Sequence, residues 1–226
     1  MISPVMEDYL KAIYEIRDDH GEPVATSDIA EYLDVTAPTV SKMLDKLTDC
    51  ELVDREKYRG VGLTEEGETV ALEVLRHHRL LESYLAEHLD YEWTEVHDEA
   101  EVLEHHISEE FEQRVADALE DPTVDPHGDP IPDADLQPIE DRSTPLATHE
   151  AGDRLVVSRI RDREEETLAH LARHGITPGT EIAIREVDPV GLYVVAHPDG
   201  EVRLPEEVVA DICVVAAEDL EVEVAP

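Results

Sequence analysis

Hydrophobic residues recur at helical spacing through the first half of the chain and in short β-like runs through its last third. In TSDIAEYLDVTAPTVSKMLDKLTDCELV, Ile29, Ala30 and Leu33 share one helical face, and Val40, Leu44 and Leu47 share another. Asp34–Thr36 makes the turn between them, and two short amphipathic helices across a tight turn predict a helix-turn-helix. REKYRGVGLTEEG follows, and Gly60 and Gly62 predict a strand turn, so residues 1–64 read as helices closed by a β wing. From residue 65 to about 120, few glycines or prolines occur after Gly67, which predicts long helices. DPTVDPHGDPIPDADLQP, from about 121, is a proline-rich linker by its breaker content. Beyond Arg154, LVVSRI, TEIAIREV, GLYVVAH, EVRLP and ICVVA are short runs split by Pro-Gly, Asp-Pro and Asp-Gly, with one helix near residues 164–174. That spacing predicts a small β-barrel. The expected architecture is mainly α with a small β-barrel, in three domains at 1–64, 65–140 and 150–220.

Charge changes this picture. The chain has 57 acidic and 18 basic residues, a net charge of −39, yet 41% hydrophobic residues, too apolar for a disordered acidic chain. At molar salt the Debye length falls to about 3 Å and such self-repulsion is screened, so the composition fits a halophilic source. MISPVMEDYL lacks a basic segment ahead of an apolar run, and no stretch approaches the ~20 apolar residues of a membrane span, so a cytoplasmic protein without membrane contact is expected. Cys50 and Cys213 are far apart and suggest neither a disulfide framework nor a thiolate metal site.

Residues 36–60 hold five basic and five acidic side chains, so the whole negative excess lies elsewhere. The least acidic patch therefore coincides with the helix-turn-helix, as double-stranded DNA would require. Thr36, Ala37, Pro38, Thr39, Ser41, Lys42 and Lys46 lie at the start or flanks of the second helix, within reach of base edges and phosphates. Arg55, Lys57 and Arg59 make the wing basic.

HDEAEVLEHH, residues 97–106, carries four carboxylates and three histidines. On a helix His97, Glu101, Glu104 and His105 form one stripe, with Val96, Ala100, Val102, Leu103 and Ile107 leaving a buried side. Upstream, His78 and Glu82 stand at i, i+4, while His77, Glu99 and His106 point elsewhere on the helical wheels. One His–Glu pair is commonly a surface pair; two on neighbouring helices point to metal ligation. Carboxylates and imidazoles without thiolate suit Mn2+, Fe2+ or Zn2+, and the oxygen dominance tilts toward manganese or iron.

The blocks MEDYL..IY (6–14), EKYRG (56–60), HRLLE (78–82), VHDEA (96–100), EHHIS (104–108) and PHGDPIP (126–132) keep one order ahead of a small barrel. Over nearly the whole chain this resembles the diphtheria-toxin-repressor family of iron- and manganese-dependent regulators. The resemblance implies a winged helix-turn-helix, a helical metal-binding and dimerisation domain, and an SH3-like barrel similar to that of iron-transport accessory proteins. It implies a homodimer that binds operator DNA when loaded with Mn2+ or Fe2+ and represses metal-uptake genes, with no small-molecule substrate. The implied primary site is Asp8, Glu101, Glu104 and His105. Asp8 and Glu101 stand where iron-type members carry methionine and cysteine, and this exchange of sulfur for hard oxygen favours Mn2+ over Fe2+. The implied second site is His78, Glu82 and His97, with Asp162 and Glu164 the nearest groups from the barrel. Lys11 replaces a ligand glutamate of compact manganese-type members and is expected to pair with Glu7. Dimerisation is expected on the helices around Leu85, Leu89, Trp93 and Val96.

Enzyme readings find no motif. HDEAE is not the HExxH of zinc hydrolases, Val102 and Leu103 occupy the glutamate positions of an ExxH di-iron motif, and no CxxC is present for a zinc deaminase. The alternative is a metal-binding storage or interaction protein whose helix-turn-helix only packs.

Overall fold

A computed structural model describes residues 2–56, 59–137, 141–161, 165–189 and 191–217. Lys57, Asp162 and Glu164 lie outside the described residues. The chain divides into two compact units, each discontinuous in sequence: residues 1–78 with 101–112 and 132–138, and residues 79–100 with 113–131 and 139–226.

The first unit opens with α1 (Pro4–His20), started by Ser3 in extended conformation and a proline in the first turn, and ended by Gly21 at φ 83°. Its stripe of Met6, Tyr9, Leu10, Ile13 and Ile16 is buried. Helices α2 (Thr26–Tyr32) and α3 (Ala37–Asp49) follow, joined through Asp34 at φ 47°. Ile29 of α2 and Val40, Leu44 and Leu47 of α3 pack with Leu10 and Ile13 in one core. Strands β1 (Val53–Glu56) and β2 (Gly60–Leu63) form the antiparallel wing. Helix α4 (Glu65–His88) starts where the Thr64 hydroxyl accepts the Gly67 N–H at 3.1 Å, with Glu65, Glu66 and Glu68 in its first turn.

Helices α5 (Val96–Leu103) and α6 (Glu109–Ala118) are shorter than the long helices expected, with a break at residues 104–108. A cap resets the chain there: the Phe111 N–H donates to Ser108 Oγ at 3.3 Å.

In the second unit, β3 (Thr144–Pro145), β4 (Arg154–Ile160), helix α7 (Glu165–Arg173), β5 (Glu181–Val187), β6 (Leu192–His197), β7 (Gly200–Pro205), helix α8 (Glu206–Ala210) and β8 (Ile212–Ala216) follow in order. The strands form one antiparallel sheet in the order β3-β8-β4-β5-β6-β7. The expected barrel is corrected by this topology: the sheet is open, and its edge strands β3 and β7 are not paired with each other among the described residues. Strand β3 is two residues long and contains a proline, which has no N–H to offer a closing neighbour. Leu168 and Leu171 of α7 pack with Val157, Ile184, Val195 and Val214 to make the sheet's core. A smaller cluster joins Leu80, Val115, Ala116, Leu119 and Ile131. No helix among the described residues is long and apolar enough to cross a membrane.

Candidate metal centres and DNA-reading surface

Helix α5 ends at Leu103, so the stripe expected for His97, Glu101, Glu104 and His105 does not run along one helix. Glu104 and His105 lie in the following turn, where the His106 N–H donates to the Leu103 carbonyl at 2.8 Å. The turn takes His105 to α1: its Nε2 is 2.8 Å from Asp8 Oδ1 and 3.4 Å from Glu104 Oε1. Asp8, Glu104 and His105 offer ligand atoms within 4.8 Å of one another. His105 Nδ1 lies 2.6 Å from Glu7 Oε2, which orients the ring and turns Nε2 toward the other carboxylates. Glu101 sits exposed on α5, outside this set of three.

Glu104 is buried, and its charge is held by two partners. Lys11 Nζ donates to both carboxylate oxygens, at 2.8 and 2.9 Å, and His78 Nδ1 is 2.5 Å from Oε2. Burial alone would raise the Glu104 pKa, but the His78 hydrogen bond and the Lys11 charge outweigh it and hold the carboxyl below its ordinary range. Burial would lower the Lys11 pKa, and Glu104 reverses that. Lys11 thus pairs with Glu104 and not, as expected, with Glu7: the ammonium reaches across to the turn instead of back along its own helix. Asp8 differs. Burial raises its pKa, and the opposing pull of His105 and Lys11 does not cancel this. Two carboxylates and an imidazole, with no thiolate, fit a divalent ion of the manganese or ferrous type.

His77 supports the turn. Its Nδ1 lies 3.1 Å from the Glu104 carbonyl oxygen and its Nε2 3.2 Å from Glu112 Oε2. Both neighbours only accept, so satisfying both requires the doubly protonated imidazolium. Burial works against that charge, but the Glu112 bond and charge prevail and the pKa is raised. Arg76 completes the network, donating to Glu112 at 2.5 Å and to the Pro132 carbonyl at 2.6 Å.

The second unit holds another cluster. Glu82 is fully buried; its Oε1 is 3.2 Å from His97 Nδ1 and its Oε2 3.4 Å from His127 Nδ1. Glu82, Asp125 and His127, all buried, again offer ligand atoms within 4.8 Å of one another. His78, one turn before Glu82 on α4, directs Nδ1 to Glu104 as described. Asp125 and His127 fall in the proline-rich stretch whose breakers mark a linker, so the sequence does not single them out as ligands. The available signal was a histidine among breakers, preceded two residues earlier by a carboxylate. That carboxylate organises the loop, since Asp125 Oδ1 accepts the N–H groups of His127 at 2.8 Å and Asp129 at 2.9 Å. The loop is fastened to β4: the Ile160 N–H donates to the His127 carbonyl at 2.9 Å, and Arg159 Nε is 2.7 Å from Asp129 Oδ1.

On the helix-turn-helix, Thr36, Ala37, Pro38, Thr39, Lys42 and Lys46 are exposed and Ser41 is half-buried. Thr36 and Thr39 hydroxyls lie 2.9 Å apart at the start of α3. Arg55 on β1 donates to Asp45 of α3 at 2.7 Å, and Arg59 is exposed at the wing turn. Of the residues expected at a dimer contact, Leu85 and Val96 are buried inside the second unit. Trp93 is half-buried with its ring 5.4 Å from that of His127, and Leu89 is 52% exposed.

Known proteins share this order of domains and this fold. Residues 1–61 match the N-terminal DNA binding domain of the iron dependent repressors, residues 64–133 their metal binding and dimerisation domain, and residues 144–216 the FeoA domain. The chain is 39% identical over 108 residues to an HTH-type transcriptional regulator MntR of Oceanobacillus iheyensis, covering 48% of this chain and 72% of that one. A second MntR, of Bacillus pumilus, is 38% identical over 108 residues, 48% and 74% of the two chains. Among solved structures, a manganese-dependent transcriptional repressor in complex with manganese superposes with a TM-score of 0.88 at 38% identity, covering 93% of this chain and 99% of that one. The manganese regulator SloR gives 0.79 at 34% identity, over 93% and 98%. The order of the three matched regions, the shared fold and the clustered carboxylates and imidazoles agree, and the chain belongs to the iron-dependent repressor family of transcriptional regulators.

Proposed function

We propose that this protein is a metal-dependent transcriptional repressor of the cytoplasm, not an enzyme, which binds operator DNA as a homodimer when loaded with Mn2+, or with Fe2+ as second choice, and controls metal-uptake genes. The observation that carries this is the convergence of Asp8, on the first helix of the DNA-binding region, with Glu104 and His105 from the α5–α6 turn. A bound divalent cation supplies positive charge that offsets repulsion among these carboxylates. Asp8, Glu104 and His105 would hold it, Glu7 orients His105, and His78 helps keep Glu104 ionised. Because Leu10 and Ile13 of α1 share a core with Val40 and Leu44 of α3, fixing α1 fixes the recognition helix. Glu82, Asp125 and His127 are proposed to hold a second ion, with His97 beside Glu82.

The start of α3 (Thr36 to Thr39, with Ser41, Lys42 and Lys46) would contact the major groove, and Arg55, Lys57 and Arg59 the phosphates. The exposure of these α3 residues disfavours a helix-turn-helix that only packs. A dimer would place two α3 helices on successive half-sites, with Leu89 and neighbouring Tyr91, both exposed, at the contact. The division of labour proposed is a DNA-binding region at 1–64, a metal and dimer region at 65–140 and a sheet domain at 150–220.

The test is DNA selection from a random duplex pool with Mn2+, followed by fluorescence anisotropy of the selected site at molar KCl with Mn2+, Fe2+ or chelator. Chelator should weaken binding by about 5- to 150-fold, the usual range of such coupling. Asp8→Ala should abolish that dependence while leaving the circular dichroism spectrum unchanged. Binding indifferent to metal, or unaltered metal dependence in Asp8→Ala, defeats the proposal.

A further inference from the structure

We infer that Lys11 is a resident cation of the first metal centre, one that competes with the divalent ion for Glu104 and thereby sets the metal concentration at which the regulator responds. The inference rests on the metal-dependent reading above and adds a tuning residue to it. The Lys11 ammonium is not a bystander on the surface: it contacts both oxygens of Glu104, at 2.8 and 2.9 Å, and the two side chains are 8% and 1% exposed. Glu104 is also one of the three residues whose ligand atoms cluster around His105 Nε2. Lys11 stands three residues after Asp8 on α1, so its cation and the Asp8 carboxylate approach Glu104 from the same helix.

A carboxylate has about four lone-pair directions. Lys11 occupies two and His78 faces Oε2 from 2.5 Å, so an ion shared by Asp8, Glu104 and His105 must take what remains of Glu104 beside a fixed positive charge. Two effects follow with the same sign. The occupied centre is raised in free energy by repulsion between the ammonium and the divalent ion, and this repulsion is strong because the site is poorly screened. The empty centre is lowered, because Glu104 is already neutralised and has no buried charge left to compensate. Both weaken metal binding. Removing the charge while keeping the bulk therefore tightens it. A lysine whose role is only to hold the fold makes the opposite forecast: its loss loosens the turn at residues 104–106 and metal binding weakens.

The test is a Mn2+ titration of the full-length protein in molar KCl, following free Mn2+ by electron paramagnetic resonance. Asp8→Asn identifies the class of sites belonging to the first centre. In Lys11→Met that class should bind Mn2+ at least tenfold more tightly, and half-saturation of DNA binding should move to lower Mn2+ by a similar factor. Lys11→Arg, which keeps the charge, should stay near the wild-type value. Should Lys11→Met fail to fold in thermal melts, Lys11→Gln carries the same expectation. Loss of no site class in Asp8→Asn overturns the metal reading itself. A class lost in Asp8→Asn but unchanged or weakened by the neutral Lys11 variants overturns the tuning role alone.

Discussion

Gly128 and Gly179 form a natural pair for measuring what fastens the Asp125–Ile131 loop. Both have φ +88°, so alanine at either carries the same kind of backbone strain, about 1–2 kcal/mol for a left-handed residue. Their surroundings differ. A Cβ on Gly179 meets nothing within 4 Å, whereas on Gly128 it falls 1.9 Å from the Ser158 carbonyl oxygen and 2.8 Å from its carbon. Restoring ordinary contact at about 3.4 Å means parting the loop from β4 by some 1.5 Å. The bonds that span that gap include the 2.9 Å Ile160–His127 backbone bond and the 2.7 Å Arg159–Asp129 ion pair, whose side chains are 9% and 3% exposed. A neutral bond contributes about 0.5–1.5 kcal/mol and one to a charged group about 1.5–3 kcal/mol. Gly128→Ala should therefore cost about 2–4.5 kcal/mol more than Gly179→Ala if both bonds are lost. Urea denaturation at fixed molar KCl, with matched m-values, measures this difference. Because the loop carries Asp125 and His127, Gly128→Ala should also lose one class of Mn2+ sites that Gly179→Ala retains. Equal stabilities within about 0.5 kcal/mol would refute the reasoning, since strain alone would then account for both variants.

Three further outcomes are expected. Gly67→Ala should be destabilising by about 1–3 kcal/mol, although alanine is the better helix former by ~1 kcal/mol, because its Cβ would lie 1.9 Å from the Leu52 carbonyl oxygen; a stabilised variant in urea denaturation would show that α4 does not press on the Leu52 backbone. The raised pKa of His77 means that its ion pair with Glu112 stabilises fully below the unfolded histidine value of about 6.5 and fades as pH rises through the higher folded value, so the metal-free stability gap between wild type and His77→Gln should shrink toward alkaline pH, and a pH-independent gap would count against a charged His77. Asp45→Asn should release Arg55 from its 2.7 Å pair and remove an acid from the recognition helix, tightening DNA binding across all sequences and steepening its salt dependence by about one unit of slope, as seen in anisotropy titrations at varied KCl.

The helix-turn-helix was legible in the sequence because Ile29, Val40, Leu44 and Leu47 are set by local periodicity and bury one face whatever the rest of the chain does. The ligand chemistry was legible for the same reason: the types of side chain near residues 78–82 and 97–105 are independent of how they are turned. Helical phase failed where the helix stopped. With α5 ending at Leu103, a turn rather than a wheel aims Glu104 and His105, and turn geometry depends on what the flanking helices pack against. The partner of Lys11 and one partner of Glu82 were likewise beyond reach, since Lys11 meets a residue 93 positions away and His127 sat in a stretch whose prolines signalled a linker, whereas the grouping of Glu82 with His97 was legible through the family resemblance. Strand content was readable from alternation, but whether the sheet closes depends on hydrogen bonds between its edges, and a two-residue edge strand ending in proline leaves it open. By itself, then, the sequence determined the elements, the charge and the kind of ion the protein can hold, because these are short-range or compositional properties. Only the tertiary structure decided which carboxylates share a site and which is held by a lysine, because the energy of a buried charge is set by neighbours that the linear order does not place beside it.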